Sequence, residues 1–141
     1  MSKQSMYTPE AMNKFGANSL PGHMGIEITR VSEGEVAARI EVKPHLLAPN
    51  GFLHAGTVIT LADTAAGYAC VANLPEGANN FTTVELKSNH LGTARDGAIC
   101  CVAKAVHLGR TTQVWDVVVN NEANGKTIAL FRCTQMILYP K

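Results

Sequence analysis

Apolar positions along the chain change period, and that separates strands from helices. Over residues 35–42, Val36, Ala38, Ile40 and Val42 alternate with Glu35, Ala37, Arg39 and Glu41, the period of a strand with one buried face. Residues 24–30 predict a strand before it, with Ser32-Glu33-Gly34 as the turn between the two. Four more strands are predicted over residues 80–89, 98–107, 111–120 and 126–139. Leu108-Gly109-Arg110 is a short connection of hairpin type. Asn124-Gly125 is another, because both residues tolerate positive φ. Val114, Asp116 and Val118 alternate with Trp115, Val117 and Val119, which suits a strand covered on both faces for part of its length.

Residues 54–72 read differently. The segment is rich in Ala and Thr and has no continuous polar face, so it predicts a helix buried nearly all round. Its Ala and Gly residues let other backbone come close, and Asn73-Leu74-Pro75-Glu76-Gly77 ends it. A shorter helix opens at Thr8-Pro9-Glu10, with Thr8 as cap and Pro9 at the first position, and ends near Gly16. Leu20-Pro21-Gly22-His23 reads as a turn, and residues 44–53, which hold Pro49-Asn50-Gly51, as a loop. The sum is one long helix and about six strands, four of them in sequence after the helix. That predicts an α+β chain, an antiparallel sheet wrapped around one central helix. There are too few helices for a doubly wound parallel sheet. With no internal repeat or linker, residues 1–141 read as a single domain.

Composition adds one point. Apolar residues make up 46% and charged residues 16%, and the charged share is well below the usual quarter. A chain so poor in charge is expected to hide surface in contacts with copies of itself, as a homo-oligomer. The net charge of +1 offers neither the basic footprint of a nucleic-acid binder nor a polybasic membrane anchor. The opening stretch MSKQSMYTPEAMNKF has no apolar core of signal-peptide length. Asp63, near the middle of the least charged stretch, would cost roughly 2.5–3.5 kcal/mol in a membrane span. A cytoplasmic protein without a membrane partner is expected. Cys70, Cys100, Cys101 and Cys133 form no C-x-x-C pair and lack zinc-finger spacing to any His. They read as buried free thiols in a reducing compartment, with Cys100 and Cys101 on opposite faces of a strand. His23, His45, His90 and His107 are scattered, and no metal is expected.

The chemistry is concentrated in residues 49–65, which run from Pro49-Asn50-Gly51-Phe52-Leu53-His54-Ala55-Gly56 into the helix. Free backbone N–H groups at a helix N-terminus, aided by the helix dipole, can polarise a carbonyl that becomes an oxyanion. A carboxylate in reach can activate water or attack that carbonyl. Ala55-Gly56 puts small residues at the helix start, and Asp63 follows two turns later, roughly 12 Å along the axis. One chain therefore does not easily bring both groups to one carbonyl. Two antiparallel copies of the helix would, so the spacing argues for a site shared between subunits.

The same segment resembles the active-site signature of the hotdog-fold thioesterases, in particular their PaaI-like branch. That signature is H-G-G, a short spacer and L-A-D/E-T/N-A. Here it reads His54-Ala55-Gly56, then Leu61-Ala62-Asp63-Thr64-Ala65. The likeness continues through Thr82-Thr83-Val84-Glu85-Leu86-Lys87-Ser88-Asn89-His90-Leu91 and Gly109-Arg110-Thr111. It implies hydrolysis of an acyl-CoA thioester with no cofactor, CoA being part of the substrate. It implies Asp63 as nucleophile or general base and the Ala55 N–H, aided by Gly56, on the carbonyl. His54 would orient the loop and helix start, and Thr83 would help to place water. Lys87, Arg95 and Arg110 are candidates for the CoA phosphates. Phe52, Leu53, Tyr68 and Phe81 are candidates for the acyl pocket by nearness to the motif. A homotetramer built as a dimer of dimers is also implied. Two positions depart from the pattern. Ala55 replaces the first glycine after the histidine, and Ala48 stands where the family often has Asn or Gln, with Asn50 the nearest amide. A hotdog hydratase or dehydratase, or a non-catalytic acyl-CoA-binding module, are the rival readings.

Overall fold

The computed structural model describes residues 6–141, so the first residues of the stretch read for a leader lie outside the described residues. Thr8 caps helix α1 (Pro9–Gly16), its hydroxyl accepting the Ala11 N–H at 3.1 Å. A five-residue helix α2 (Leu20–Met24) stands where a turn was expected. Pro21 sits inside its first turn, and Gly25, at φ 89°, ends it in the left-handed region that glycine adopts freely. Strands β1 (Glu27–Ser32) and β2 (Glu35–Glu41) follow, then a 3-10 turn over Pro44–Leu46. The long helix α3 spans Ala55–Ala72. Strands β3 (Asn80–His90), β4 (Ala98–Leu108), β5 (Thr112–Asn121) and β6 (Thr127–Leu138) complete the chain. Gly125, at φ 72°, makes the β5–β6 hairpin as its sequence predicts.

All strand pairs are antiparallel, and the order across the sheet is β1-β2-β4-β5-β6-β3. This six-stranded sheet packed on one long helix is the hotdog fold. Alternate residues face the helix: Val36, Ala38 and Ile40 of β2, Ile99, Cys101 and Ala103 of β4, and Trp115, Val117 and Val119 of β5 are all buried. Helix α3 meets them with Val58, Leu61, Ala62, Ala65, Ala66 and Ala69. Alanine on that face lets the helix axis lie close to the strands. Its C-terminal end is tied down by a buried chain of hydrogen bonds. Trp115 Nε1 donates to Gln113 Oε1 at 2.8 Å, and Gln113 Nε2 donates to the Asn73 carbonyl at 2.9 Å.

The helix is not buried all round. Gly56, Thr60, Asp63, Thr64, Tyr68 and Val71 are half-buried and recur at three- to four-residue intervals, so they form one stripe. A single sheet covers only one side of a helix, and the opposite stripe is left for something else. Helix α3 is long and apolar enough to cross a membrane by length and composition alone, but its packing is that of a core helix. Cys70, Cys101 and Cys133 are buried and Cys100 is half-buried, all as free thiols. Burial pushes the three buried thiols up to about 12.

Candidate active site

The start of α3 is held by its cap. His54 has an extended backbone (φ −65°, ψ 132°), and its Nδ1 accepts the Gly56 N–H at 2.8 Å. The N–H groups of Thr57 and Val58 reach the His54 carbonyl at 2.9 and 3.4 Å. Among the described residues, the Ala55 N–H has no acceptor, and Ala55 is exposed at the helix tip. This narrows the sequence expectation. The Gly56 N–H is already engaged, so the amide open to a ligand is that of Ala55. An accepting Nδ1 places the proton of the neutral imidazole on Nε2. His54 thus acts on the backbone as an orienting group.

Gly56 has a steric duty here. A Cβ on it would lie 2.9 Å from His54 Nδ1 and 3.1 Å from Cε1. Gly56→Ala is expected to push the imidazole off the helix start and weaken the cap by about 1 kcal/mol, the usual worth of such a cap. Turnover should fall with it, because the cap sets the direction of the Ala55 N–H. A melting curve and a steady-state assay on the variant check both.

The loop before the cap is tight. Leu47 and Leu53 form a bridge, the Ala48 N–H donates to the Phe52 carbonyl at 2.7 Å, and Gly51 takes φ 87°. Asn50 Oδ1 accepts the Phe52 N–H at 3.2 Å, so its side chain serves this turn. Thr93 Oγ1 accepts the Leu53 N–H at 3.1 Å, and Thr57 Oγ1 donates to the Leu46 carbonyl at 2.9 Å. The Arg95 guanidinium lies 4.5 Å above the Phe52 ring. That contact places a cation beside the helix tip.

Asp63 lies on the uncovered stripe. Its Oδ1 is buried and has no hydrogen-bond partner among the described residues. Burial raises its pKa above the ordinary carboxylate value. Its charge adds to the rise of the Cys133 thiol on β6, after the larger effect of burial. Two further polar groups went unread in the sequence. Ser88 Oγ and the whole amide of Gln135 are also buried without partners among the described residues. Ser88 pairs with buried Phe131 and Gln135 with Thr83 across β3 and β6, so both face the α3 side of the sheet.

The other predicted residues are dispersed. Thr83 is exposed on β3. Phe81 packs against α3 at Gly67, where a Cβ would come within 3.2 Å of its ring. Tyr68 points to α1, its hydroxyl against Gly16. Leu53 is only 7% exposed and belongs to the core. Lys87 lies apart from the other candidates. It lines a cleft of about 310 Å³ with Asp116 and Arg132 on the outer face of the sheet, away from Asp63. Alternation explains this, since Lys87 pairs with outward-facing Arg132. Arg110 sits in the β4–β5 hairpin, where its carbonyl accepts the Tyr139 hydroxyl. That hairpin lies at the C-terminal end of α3, opposite to Ala55 and Arg95.

Comparison with known proteins gives the family. The family model described as the thioesterase superfamily matches residues 50–128, the loop, α3 and β3 to the start of β6. A 1,4-dihydroxy-2-naphthoyl-CoA hydrolase of Listeria monocytogenes is 32% identical over 111 residues, which is 79% of this chain and 89% of the relative. The crystal structure of thioesterase HI1161 from Haemophilus influenzae superposes with a TM-score of 0.90 at 30% identity, over 99% of this chain and 96% of that one. The PaaI protein of E. coli, from the phenylacetic acid degradation operon, gives a TM-score of 0.83 at 26% identity, over 96% and 94%. The chain belongs to the thioesterase superfamily and is a thioesterase built on the hotdog fold.

Proposed function

We propose that the protein hydrolyses acyl-CoA thioesters as a PaaI-like enzyme, at sites where Asp63 of one copy faces the Ala55 amide of another. One observation carries the reading. An open backbone amide and an unpartnered, half-buried carboxylate lie on the uncovered side of one helix, roughly 12 Å apart along its axis. A second α3 running antiparallel closes that gap twice, once at each end.

Strand β3 supports such a pairing. It is one edge of the sheet, it is 11 residues long, and it exposes Val84 (54%) and Leu86 (38%). A long edge strand with a row of unpaired N–H and C=O groups invites another chain. Pairing two β3 edges about a twofold axis would bring the two α3 stripes together. The relatives named as CoA-thioester hydrolases support the substrate class. A tetramer made of two such dimers belongs to the same proposal.

The chemistry follows from the two groups. The Ala55 N–H and the positive end of α3 draw charge onto the thioester carbonyl oxygen. The Asp63 carboxylate attacks the carbonyl carbon or takes a proton from the water that does. The C–S bond then breaks, and the CoA sulfur leaves and gains a proton; on the first route the acyl group stays on Asp63 as a mixed anhydride that water cleaves, and on both it departs as a carboxylic acid. His54 holds the helix tip in place. Arg95 stands beside that tip, and Arg110 of the facing copy would reach it from the hairpin end, so both can meet the CoA phosphates.

Release of free thiol from aromatic, short-chain and medium-chain acyl-CoA substrates tests the proposal. Hydrolysis of at least one class is expected, and no thiol from any of them rejects it. A hydratase would release none. The pH profile is a second test. Asp63 works ionised, and burial raises its pKa. Activity is therefore lost as pH falls through that raised value. The acid limb of kcat/KM should lie above the ordinary aspartate value of about 3.9. Undiminished activity down to that pH rules out Asp63 as the working base or nucleophile.

A further inference from the structure

We propose that Asn13 guards the β1 edge of the sheet, so that this chain adds another copy only at β3. The sheet does not close on itself, and its two edges are β1 and β3. An edge carries a row of backbone N–H and C=O groups that a further strand can bond. A chain open at both edges would pair β3 with β3 and β1 with β1 in alternation, and growth would have no end. An assembly that stops at a pair of sheets needs one edge blocked.

The block is built at β1. In an antiparallel ladder the N–H and C=O of one residue point to the same side. Ile28 turns both away from β2, and Asn13 of α1 takes both. Its Oδ1 accepts the Ile28 N–H at 2.7 Å, and its Nδ2 donates to the Ile28 carbonyl at 3.0 Å. A side-chain amide offers the same donor and acceptor as a peptide group, so Asn13 stands where a neighbouring strand would put its backbone. Two residues earlier, the Ile26 N–H donates to the Pro21 carbonyl of α2 at 2.9 Å. Past Ile28 the register shifts before Arg30, a bulge that twists the edge away from a straight partner. Arg30 turns back on its own hairpin, its Nη1 donating to Ser32 Oγ at 2.9 Å and Glu35 Oε2 at 3.1 Å. The strand is also short, at six residues.

The other edge has no such cover. Strand β3 runs for 11 residues. Among the described residues, the one side chain bonded to its backbone is that of neighbouring Asn80, whose Oδ1 accepts the Phe81 N–H at 2.8 Å. The position of Asn13 fits the same reading. Asparagine is a poor residue for the interior of a helix, and residue 13 lies in the middle of α1. Its two bonds to Ile28 explain its place there.

Asn13→Ala removes both bonds and leaves a good helix former in α1. Its sedimentation is compared with that of wild type as concentration rises, and exchange of the Ile28 amide hydrogen is followed in the same samples. The weight-average mass should reach at least about twice that of wild type, since each β1–β1 joint doubles the particle. The Ile28 amide should exchange faster than in wild type when dilute and be protected again when concentrated. Adding Thr29→Lys, which puts a charge at an exposed position of the same edge, should abolish both the growth and the regained protection. Wild-type mass at every concentration in a folded Asn13→Ala protein overturns the guard. Growth that Thr29→Lys does not stop, or that leaves Ile28 unprotected, overturns it too, because the contact then lies elsewhere. If Asn13→Ala melts too low to be measured, Asn13→Asp takes its place. It keeps an acceptor for the Ile28 N–H, sets a carboxylate against the Ile28 carbonyl, and is judged by its mass and the Thr29→Lys control. The inference shares only the β3 pairing with the thioesterase reading. A monomeric wild type whose Asn13→Ala variant forms β1-linked dimers sinks that pairing and keeps the guard.

Discussion

Asp63→Asn lowers kcat by about 10²-fold or more, the scale of a positioned acid–base group, with KM little changed and the fold intact. The substitution keeps shape and volume and removes only the charge. The carboxyl has no hydrogen-bond partner at Oδ1 among the described residues, so no internal pair is broken. Stability separates a chemical role from a structural one. The raised pKa means that folding favours the protonated form. The stability it brings is full below the unfolded-state pKa and is lost as pH rises through the folded-state value. Once pH has risen above the folded-state value, the wild type holds a buried charge that Asp63→Asn lacks, so the variant should then melt at a higher temperature. The gap should close as pH falls. Near-native turnover of Asp63→Asn on several acyl-CoA substrates would remove Asp63 from the mechanism. A variant that melts far below wild type at pH 8 would show that the carboxylate is structural.

The architecture was legible because its signals are local. Strict alternation placed β2, turn residues placed the hairpins, and an uncharged Ala-rich run placed α3. Asp63 and the His54 cap could be read because an acid in such a run and a motif at fixed spacing are both properties of neighbouring residues. The misreadings have one cause. Leu20-Pro21-Gly22-His23 forms a helical turn because Gly25 can end it in a left-handed conformation, two residues beyond the segment that was read. Which face Lys87 takes is not legible from the residue alone, and strand alternation puts it on the outer face with Arg132. Gln135 gave no signal, since a glutamine in an alternating strand looks like a solvent position until register sets it opposite Thr83. The groove between α1 and α3 joins Phe15 to Tyr68, 53 residues further along the chain, and only packing reveals it. The uncovered stripe of α3 was read as buried because a sequence shows that a face is apolar and not what covers it.

Ala55→Pro isolates the amide as Asp63→Asn isolates the carboxylate, and it lowers kcat by about 10²- to 10³-fold, the worth of one oxyanion donor. Ala55 is the first residue of α3, where proline is well tolerated because its missing N–H would have no partner inside the helix. The preceding residue suits it too, since His54 already has the extended backbone that a residue before proline prefers. The helix should persist while the open amide disappears. The two dead variants can then be mixed. With sites shared as proposed, Asp63 of the Ala55→Pro chain in a heterodimer would face the intact Ala55 amide of the Asp63→Asn chain, and one complete site would re-form. The other site lacks both groups. Random pairing of equal amounts makes half of the dimers mixed, each with one working site of two, so about a quarter of wild-type activity should return. Co-expression with two affinity tags and purification through both gives the mixed dimer directly, with about half of wild-type activity expected. If each site lay within one chain, every chain in the mixture would carry a fatal change and nothing would return. A mixed dimer no more active than its parents would place the carboxylate and the amide in the same subunit, or in no common site.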